Sequence, residues 1–111
     1  MPAANINYRQ ASIEEDFTIA KHFYQLWQDN QVSPENMISE WLDITLQFIH
    51  RARQELSYQA FVAESEGKII ASTGCQLFAG LYPHILTNSH RQYGYIWGVY
   101  VELSCSALSL K

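Results

Sequence analysis

The spacing of apolar positions changes twice along this chain, from a period of two to helical spacing and back again. Residues 6–11 alternate in side-chain type, which is typical of a short strand. Helical spacing follows in two stretches that extend to about Leu56. After Leu56 the period of two returns in three further segments. The pattern therefore predicts the element order β-α-α-β-β-β.

The first helix is predicted to begin at Ser12, which opens the sequence SIEE. Ser12 can cap the helix, and Glu15, three residues later, can complete a capping box. The apolar stripe that follows consists of Ile13, Phe17, Ala20, Tyr24 and Trp27, widened by Ile19, Phe23 and Leu26. The polar sequence QDNQV ends this helix.

The second helix is predicted to begin at Ser33, with Pro34 at the first helical position and Glu35 in the first turn. Its apolar face is formed by Ile38, Trp41, Thr45, Phe48, Ala52 and Leu56. Because it reaches Leu56, this helix is expected to be longer than roughly 30 Å, enough to cross a small sheet.

The C-terminal half of the chain contains a hairpin pattern. Tyr58 to Glu64 and Lys68 to Phe78 flank the connection SEG, in which Gly67 is expected in a left-handed conformation. A long loop, residues 79–92, leads to the last strand, Gly94 to Val101. That strand is apolar on both sides, which is typical of a strand covered on both faces.

These elements predict an α+β fold with a mainly antiparallel, four-stranded sheet and both helices on one face. The length of 111 residues corresponds to a single domain. The sequences FVA, KIIA and YIWGVYV are apolar on both sides, so the second face of the sheet also requires cover. The pattern thus describes half of a three-layer sandwich.

Composition narrows the classes of function. The chain is 48% apolar and 14% aromatic, which indicates a folded core. A net charge of −4 without a basic stripe argues against nucleic-acid binding. No apolar run approaches the roughly 20 residues that span a bilayer, and the N-terminus lacks a signal-peptide pattern. Cys75 and Cys105 form no CxxC pattern, so we interpret them as reduced thiols of a cytoplasmic protein.

The segments AFVAESEGKIIAST and GYIWGVYVE, together with the element order, resemble the first half of the GCN5-related N-acetyltransferases. The resemblance covers about residues 5–102. It implies an incomplete acyl-CoA N-acyltransferase fold. It also implies descent from enzymes that transfer acetyl from acetyl-CoA to the amine of a small molecule or peptide.

The resemblance also implies a cofactor site at the end of the last strand. Val99, Tyr100 and Val101 match the positions whose backbone meets the pantetheine arm of acetyl-CoA. Gly98 is expected to ease a bulge there. In the family a glycine-rich loop after this strand directs backbone amides at the pyrophosphate.

The sequence departs from the family pattern after Glu102. Where the family has proline, arginine and glycines, residues 103–107 read LSCSA. We therefore assign residues 1–103 to the N-terminal half of an acetyltransferase-like domain and residues 104–111 to a serine-rich tail. The chain is expected to be truncated and inactive in this form. It is also expected to bind acetyl-CoA weakly or not at all.

Several polar side chains are candidates for chemistry, each with an ordinary structural alternative. Glu102 could deprotonate an ammonium acceptor or be a solvated strand-end carboxylate. The long loop carries Tyr82, His84 and His90, which lie near the acceptor in the family or are plain surface residues. The two loop histidines lack the further ligands that a metal site requires.

Aromatic and histidine side chains of the regular elements have mainly structural interpretations. Trp27 and Trp41 are expected to be core anchors. Tyr95 and Trp97 share one face of the last strand, as core residues or as the lining of an acceptor pocket. The histidines interpreted as surface or boundary residues are His22 and His50.

A second class of function fits the same pattern. The chain could be a non-enzymatic α/β ligand-binding or sensory/interaction module, with a small ligand between the helices and the sheet. In either case the last strand offers an unprotected edge, because Gly94 to Val101 contains no lysine, proline or charge. We therefore expect a homodimer that forms through this edge or through the uncovered face of the sheet.

Overall fold

The computed structural model describes residues 5–78, 87 and 94–102. Its elements are β1 (Ile6–Gln10), α1 (Asp16–Asp29), α2 (Trp41–Glu55), β2 (Gln59–Ser65), β3 (Lys68–Leu77) and β4 (Gly94–Val101). Short 3-10 turns, Ile13–Glu15 and Pro34–Asn36, precede the two helices. This order confirms the prediction. Most of the predicted long loop, and residues 103–111, lie outside the described residues.

The four strands form one antiparallel sheet in the order β1-β2-β3-β4. Ser65 pairs with Lys68, so two residues connect β2 to β3. Both of them, Glu66 and Gly67, have positive φ angles, of 53° and 80°. Two-residue hairpin turns of this kind match the twist of the flanking strands. The hairpin and the left-handed Gly67 are confirmed, with a connection one residue shorter than predicted.

Both helices pack on the same face of the sheet. The ring of Trp97 in β4 lies 5.1 Å from that of Phe23 in α1 and 5.5 Å from that of Phe48 in α2, between ring centroids. The buried core below the helices contains Ile19, Ile49, Ala52, Tyr58 and Ala60. The predicted layer arrangement is therefore confirmed.

Ion pairs tie the helices to their surroundings. The Glu15 carboxylate accepts hydrogen bonds from the Ser12 backbone N–H at 2.8 Å and from two nitrogens of Arg9 at 2.9 and 2.6 Å. The Arg9 bonds, aided by the Ser12 N–H, lower the pKa of Glu15 to about 2. Arg53 of α2 donates two hydrogen bonds to Asp16 of α1, at 2.7 and 2.9 Å. This pair joins the C-terminal end of α2 to the start of α1.

The second helix is shorter than predicted. Ser33 and Pro34 begin only the 3-10 turn, because Met37 has an extended backbone (φ −95°, ψ 138°) and breaks the helical path. α2 begins at Trp41 and has 15 residues, about 22 Å at 1.5 Å per residue. The capping pattern at Ser33 was correct for a turn and wrong for the long helix.

The buried side of α1 is rotated from the predicted stripe. Its buried residues are Ile19, Ala20 and His22, whereas Phe17 is 48% exposed and Trp27 is 45% exposed. Trp27 is therefore not a buried core anchor. Trp41 is half-buried and stacks on Tyr24 with ring centroids 4.2 Å apart. The predicted stripe was wrong because one position that faces the sheet is His22, and a pattern of apolar residues does not include histidine.

The other face of the sheet is open in the part of the chain that the structure describes. It forms a shallow groove of about 430 Å³ across all four strands. Tyr8, Phe61 and Val99 lie along this groove and remain substantially exposed. A second small core, which contains Ala63, Ile70 and Ala71, lies toward one end of the sheet.

Candidate functional site

A bulge interrupts the pairing of β3 with β4. Gly74 is opposite Trp97 and Ser72 is opposite Tyr100, so the single residue between them on β3 faces two residues on β4, Gly98 and Val99. Gly98 has a φ of 67°, a backbone conformation that residues other than glycine rarely adopt. The bulge expected at Gly98 is thus confirmed.

The bulge changes which face the β4 side chains occupy. Trp97 and Tyr100 are three residues apart and would lie on opposite faces of a regular strand. The extra residue puts both on the helix-covered face, where Trp97 contacts Phe23 and Tyr100 contacts His22. Val99 and Val101 lie along the open face instead. Two distinct environments therefore meet at Gly98.

On the N-terminal side of the bulge lies an open cavity of about 520 Å³, which we call the aromatic cavity. It is lined by Phe23, Trp27, Ile44, Thr45, Phe48, Gln76, Tyr95, Ile96, Trp97 and Gly98. Thr45 donates its hydroxyl to the Trp41 carbonyl at 2.7 Å, and Gln76 accepts from Trp97 Nε1 at 3.1 Å. No charged side chain is among these lining residues.

On the C-terminal side of the bulge lies a buried polar network. Nδ1 of His22 is 2.8 Å from Oγ of Ser72, and Nε2 of His22 is 3.6 Å from Oε2 of Glu102. Lys68 reaches the other oxygen of Glu102 at 3.1 Å. His22 and Ser72 are 6% and 4% exposed, whereas Glu102 is only half-buried. The network therefore joins a buried imidazole to a carboxylate that solvent can reach.

The electrostatics of the polar network favour a neutral His22. Burial lowers the pKa of His22, and the negative charge of Glu102 opposes that shift only in part. Burial likewise raises the pKa of Tyr100, whose ring centroid is 4.9 Å from that of His22. A neutral imidazole can hold the Glu102 carboxylate through one nitrogen and Ser72 through the other. The Glu102 carboxylate thus lies between His22 and Lys68 at the end of β4.

The cofactor residues expected from the resemblance are divided between the two faces. Val99 is exposed, Val101 is half-buried, and Tyr100 is buried under α1. In the described ranges β4 is an edge strand, so its outer backbone groups are open to a ligand. Tyr95 and Trp97 both line the aromatic cavity. The loop candidates Tyr82, His84 and His90 lie outside the described residues.

The sequence analysis missed the polar network. His22 was expected at the surface or at a boundary and is buried, whereas His50 is exposed as expected. The signal for His22 was its position between Ile19 and Phe23 on one side of α1. Among the described residues, no three side chains of the metal-binding types lie close enough to hold an ion. None of the described helices could cross a membrane.

Comparison with solved structures identifies the fold. A predicted acetyltransferase from Clostridium acetobutylicum, solved with acetyl-CoA, superposes with a TM-score of 0.70 at 23% identity over 93% of this chain and 64% of its own. A GCN5-related N-acetyltransferase from Ralstonia eutropha JMP134 gives 0.72 at 19% identity, over 92% of this chain and 65% of its own. No family model and no curated protein matches the sequence.

The chain therefore has the fold of the GCN5-related acetyltransferases, an α+β arrangement of two helices on an antiparallel sheet. It spans less than two thirds of the length of each of the two solved structures.

Proposed function

We propose that this chain derives from acetyl-CoA-dependent N-acetyltransferases and retains the strand that receives the pantetheine arm. The observation that carries the proposal is the bulge at Gly98 and Val99 in β4, an edge strand of an acetyltransferase fold. A bulge bends the strand and frees backbone groups from the ladder, so that they can bind an amide-rich ligand. Bound acetyl-CoA would supply the activated acetyl group.

The residues of β4 and of the polar network have separable roles in this proposal. Backbone groups of Val99, Tyr100 and Val101 hold and orient the pantetheine, and a backbone N–H of the bulge can stabilise developing negative charge. Glu102 accepts the proton that the acceptor amine gives up. His22 is a positioning residue, because it contacts Glu102 from its buried side.

Amide chemical shifts of the 111-residue chain test the proposal directly. Titration with acetyl-CoA should shift the amides of β4 from Val99 to Val101, and those of β1 serve as the internal control. Absence of any β4 shift at millimolar acetyl-CoA, or shifts confined to β1, would contradict the proposal.

The affinity for acetyl-CoA is expected to be low, and the pyrophosphate is expected to contribute little. Residues 103–111 contain no glycine and no arginine, so the charge-assisted hydrogen bonds of a glycine-rich loop are missing, each worth about 1.5–3 kcal/mol. Calorimetry should show S-acetylpantetheine, which lacks the pyrophosphate, binding as weakly as acetyl-CoA. Micromolar binding of acetyl-CoA alone would show that these residues cradle the pyrophosphate after all.

The aromatic cavity favours a second candidate function, a non-enzymatic module that binds a small ligand. Its volume of about 520 Å³ is within the usual range of ligand pockets. In that case a ligand should bind in the cavity without any effect of acetyl-CoA on its affinity. An acetylated product from an amine ligand would exclude this candidate.

Self-association is the third part of the proposal. The open face exposes Tyr8, and β4 adds an unpaired edge within the described strands. We expect light scattering at micromolar concentration to give about twice the chain mass of 12.8 kDa. Tyr8→Lys should lower this mass, whereas Ile13→Lys, at a position that is equally exposed (64% against 65%), should not. A monomer at all concentrations would refute the dimer.

A further inference from the structure

The walls of the aromatic cavity restrict what can bind there. Phe23 and Phe48 both meet Trp97 edge-on, with interplanar angles of 84° and 89°. Three aromatic rings from α1, α2 and β4 thus form one continuous apolar surface, and Tyr95 extends it along the strand. Aromatic rings arranged in this way favour a flat apolar guest, which can stack on one ring and meet the edge of another.

The Thr45 hydroxyl and the Gln76 side-chain oxygen, two polar groups of the cavity wall, are already engaged in hydrogen bonds. The Thr45 hydroxyl donates to Trp41 O, and the Gln76 side-chain oxygen accepts from the Trp97 indole. A charged group that entered the cavity would lose part of its hydration and gain no ionic partner among the described lining residues. The part of a ligand that enters is therefore apolar.

The position of the cavity fixes the direction of the ligand. Gly98 belongs both to the cavity wall and to the bulge. A ligand that fills the cavity therefore ends beside the strand where the acetyl group would be held. From these observations we infer that the cavity takes a flat, aromatic-sized apolar body that carries a primary amine at its Gly98 end. The amine rests on the proposed function, whereas the apolar body rests on the cavity alone.

Three probes separate these two parts of the inference. They are 2-phenylethylamine, 2-phenylethanol, which lacks the amine, and spermidine, which lacks the ring. The reporter is the indole N–H of Trp97, which is held by Gln76 in the cavity wall. Both aromatic probes should shift this resonance at millimolar concentration, and spermidine should not. The inference would be overturned if spermidine alone shifted the resonance, or if none of the three probes did.

A matched pair of phenylalanine variants locates the binding. Phe48 lines the cavity and Phe17 does not, yet their exposures are nearly equal, 47% and 48%, so neither substitution removes a buried core residue. Phe48→Ala should weaken 2-phenylethylamine binding about tenfold, equivalent to about 1.4 kcal/mol. Phe17→Ala should leave it unchanged. Equal affinities of the two variants would overturn the inference.

Failure of the proposed function has a different signature. If both aromatic probes bind and acetyl-CoA shifts no β4 amide, the acetyltransferase proposal loses its support and the apolar ligand class is upheld. If acetyl-CoA shifts the β4 amides and neither aromatic probe reaches Trp97, the ligand class is overturned and the cofactor site stands.

Discussion

On one side of Gly98 the helix-covered face of the sheet buries hydrogen-bonded polar groups, and on the other side it leaves aromatic rings open to solvent. His22 and Ser72 are almost fully buried and bonded to each other. Phe48 and Tyr95, by contrast, are 47% and 48% exposed beside the cavity. Strands β3 and β4 and helix α1 contribute to both regions.

The two regions differ in what their side chains can exchange with solvent. A buried, satisfied polar network contributes little net stability and specifies one arrangement of its members. Exposed aromatic surface specifies no single partner, because any apolar group that displaces water from it can bind there. A single extra residue in β4 separates the two regions, so one short strand contributes to both a buried polar network and an open cavity.

The largest effect is expected from placing a side chain at the bulge. Gly98→Val puts a β-branched residue at a φ of 67°, which should cost about 2–3 kcal/mol of the free energy of unfolding. Gly94→Val in the same strand is the control, because Gly94 has open space around its Cβ position and no positive φ. Denaturant unfolding measures both. Equal costs for the two variants would show that the backbone tolerates a side chain at the bulge.

A smaller effect concerns pH and the polar side of the comparison. The pKa of His22 is lowered in the folded chain, mainly by burial and slightly by Lys21, with Glu102 opposing. Unfolding therefore takes up a proton at pH values below the unfolded pKa of about 6.5. Stability should be complete above that pH and should decline as the pH falls towards the folded pKa, by about 1.4 kcal/mol for each unit between the two.

Variants at the two helix histidines assign this pH dependence. His22→Gln removes the titrating group but retains a side chain that can bond to Ser72, so its stability should vary less between pH 7 and pH 5. His50→Gln replaces an exposed histidine and should keep the full dependence. The assignment fails if thermal unfolding of His22→Gln follows the wild-type pH profile.

The smallest effect lies on the aromatic side. The Tyr58 hydroxyl is buried without a hydrogen-bond partner among the described residues, and burial raises the pKa of Tyr58 to about 12. Tyr58→Phe should therefore stabilise the chain by about 1 kcal/mol. The control is Tyr24→Phe, because the Tyr24 hydroxyl accepts a hydrogen bond from Gln28 at 3.1 Å. A loss of stability in Tyr58→Phe would reveal a partner for its hydroxyl.

The predictions that succeeded depend on neighbouring residues. The period of two located β4, the glycine after Glu66 located the hairpin turn, and the Ser12 pattern located the start of the first helical segment. Each of these signals involves only a few consecutive residues, so it can be recognised from the sequence alone. The layer arrangement followed because two consecutive amphipathic helices have one apolar sheet to cover.

Most of what the sequence analysis missed depends on distant contacts, and the start of α2 is the exception. The start of α2 is set by the extended backbone at Met37, which no capping rule anticipates. The burial of His22 requires Ser72, 50 residues away, as a partner. The aromatic cavity is likewise a product of two helices and β4, since its rings come from Phe23, Phe48 and Trp97. The residue pattern within one helix or strand does not show which other element that helix or strand packs against.

The pairing of β1 has a consequence for the order of folding. Arg9 of β1 bonds Glu64 of β2 across 55 positions of the chain, whereas β2 and β3 meet through a two-residue turn. Closing a long loop has a higher entropic cost and is slower than forming a local hairpin. We therefore expect the hairpin to form first and β1 to join last. Pulsed hydrogen exchange during refolding should protect β2 and β3 amides before those of β1. In this order Arg9, which also holds Glu15, would close the sheet and anchor the start of α1 late in folding.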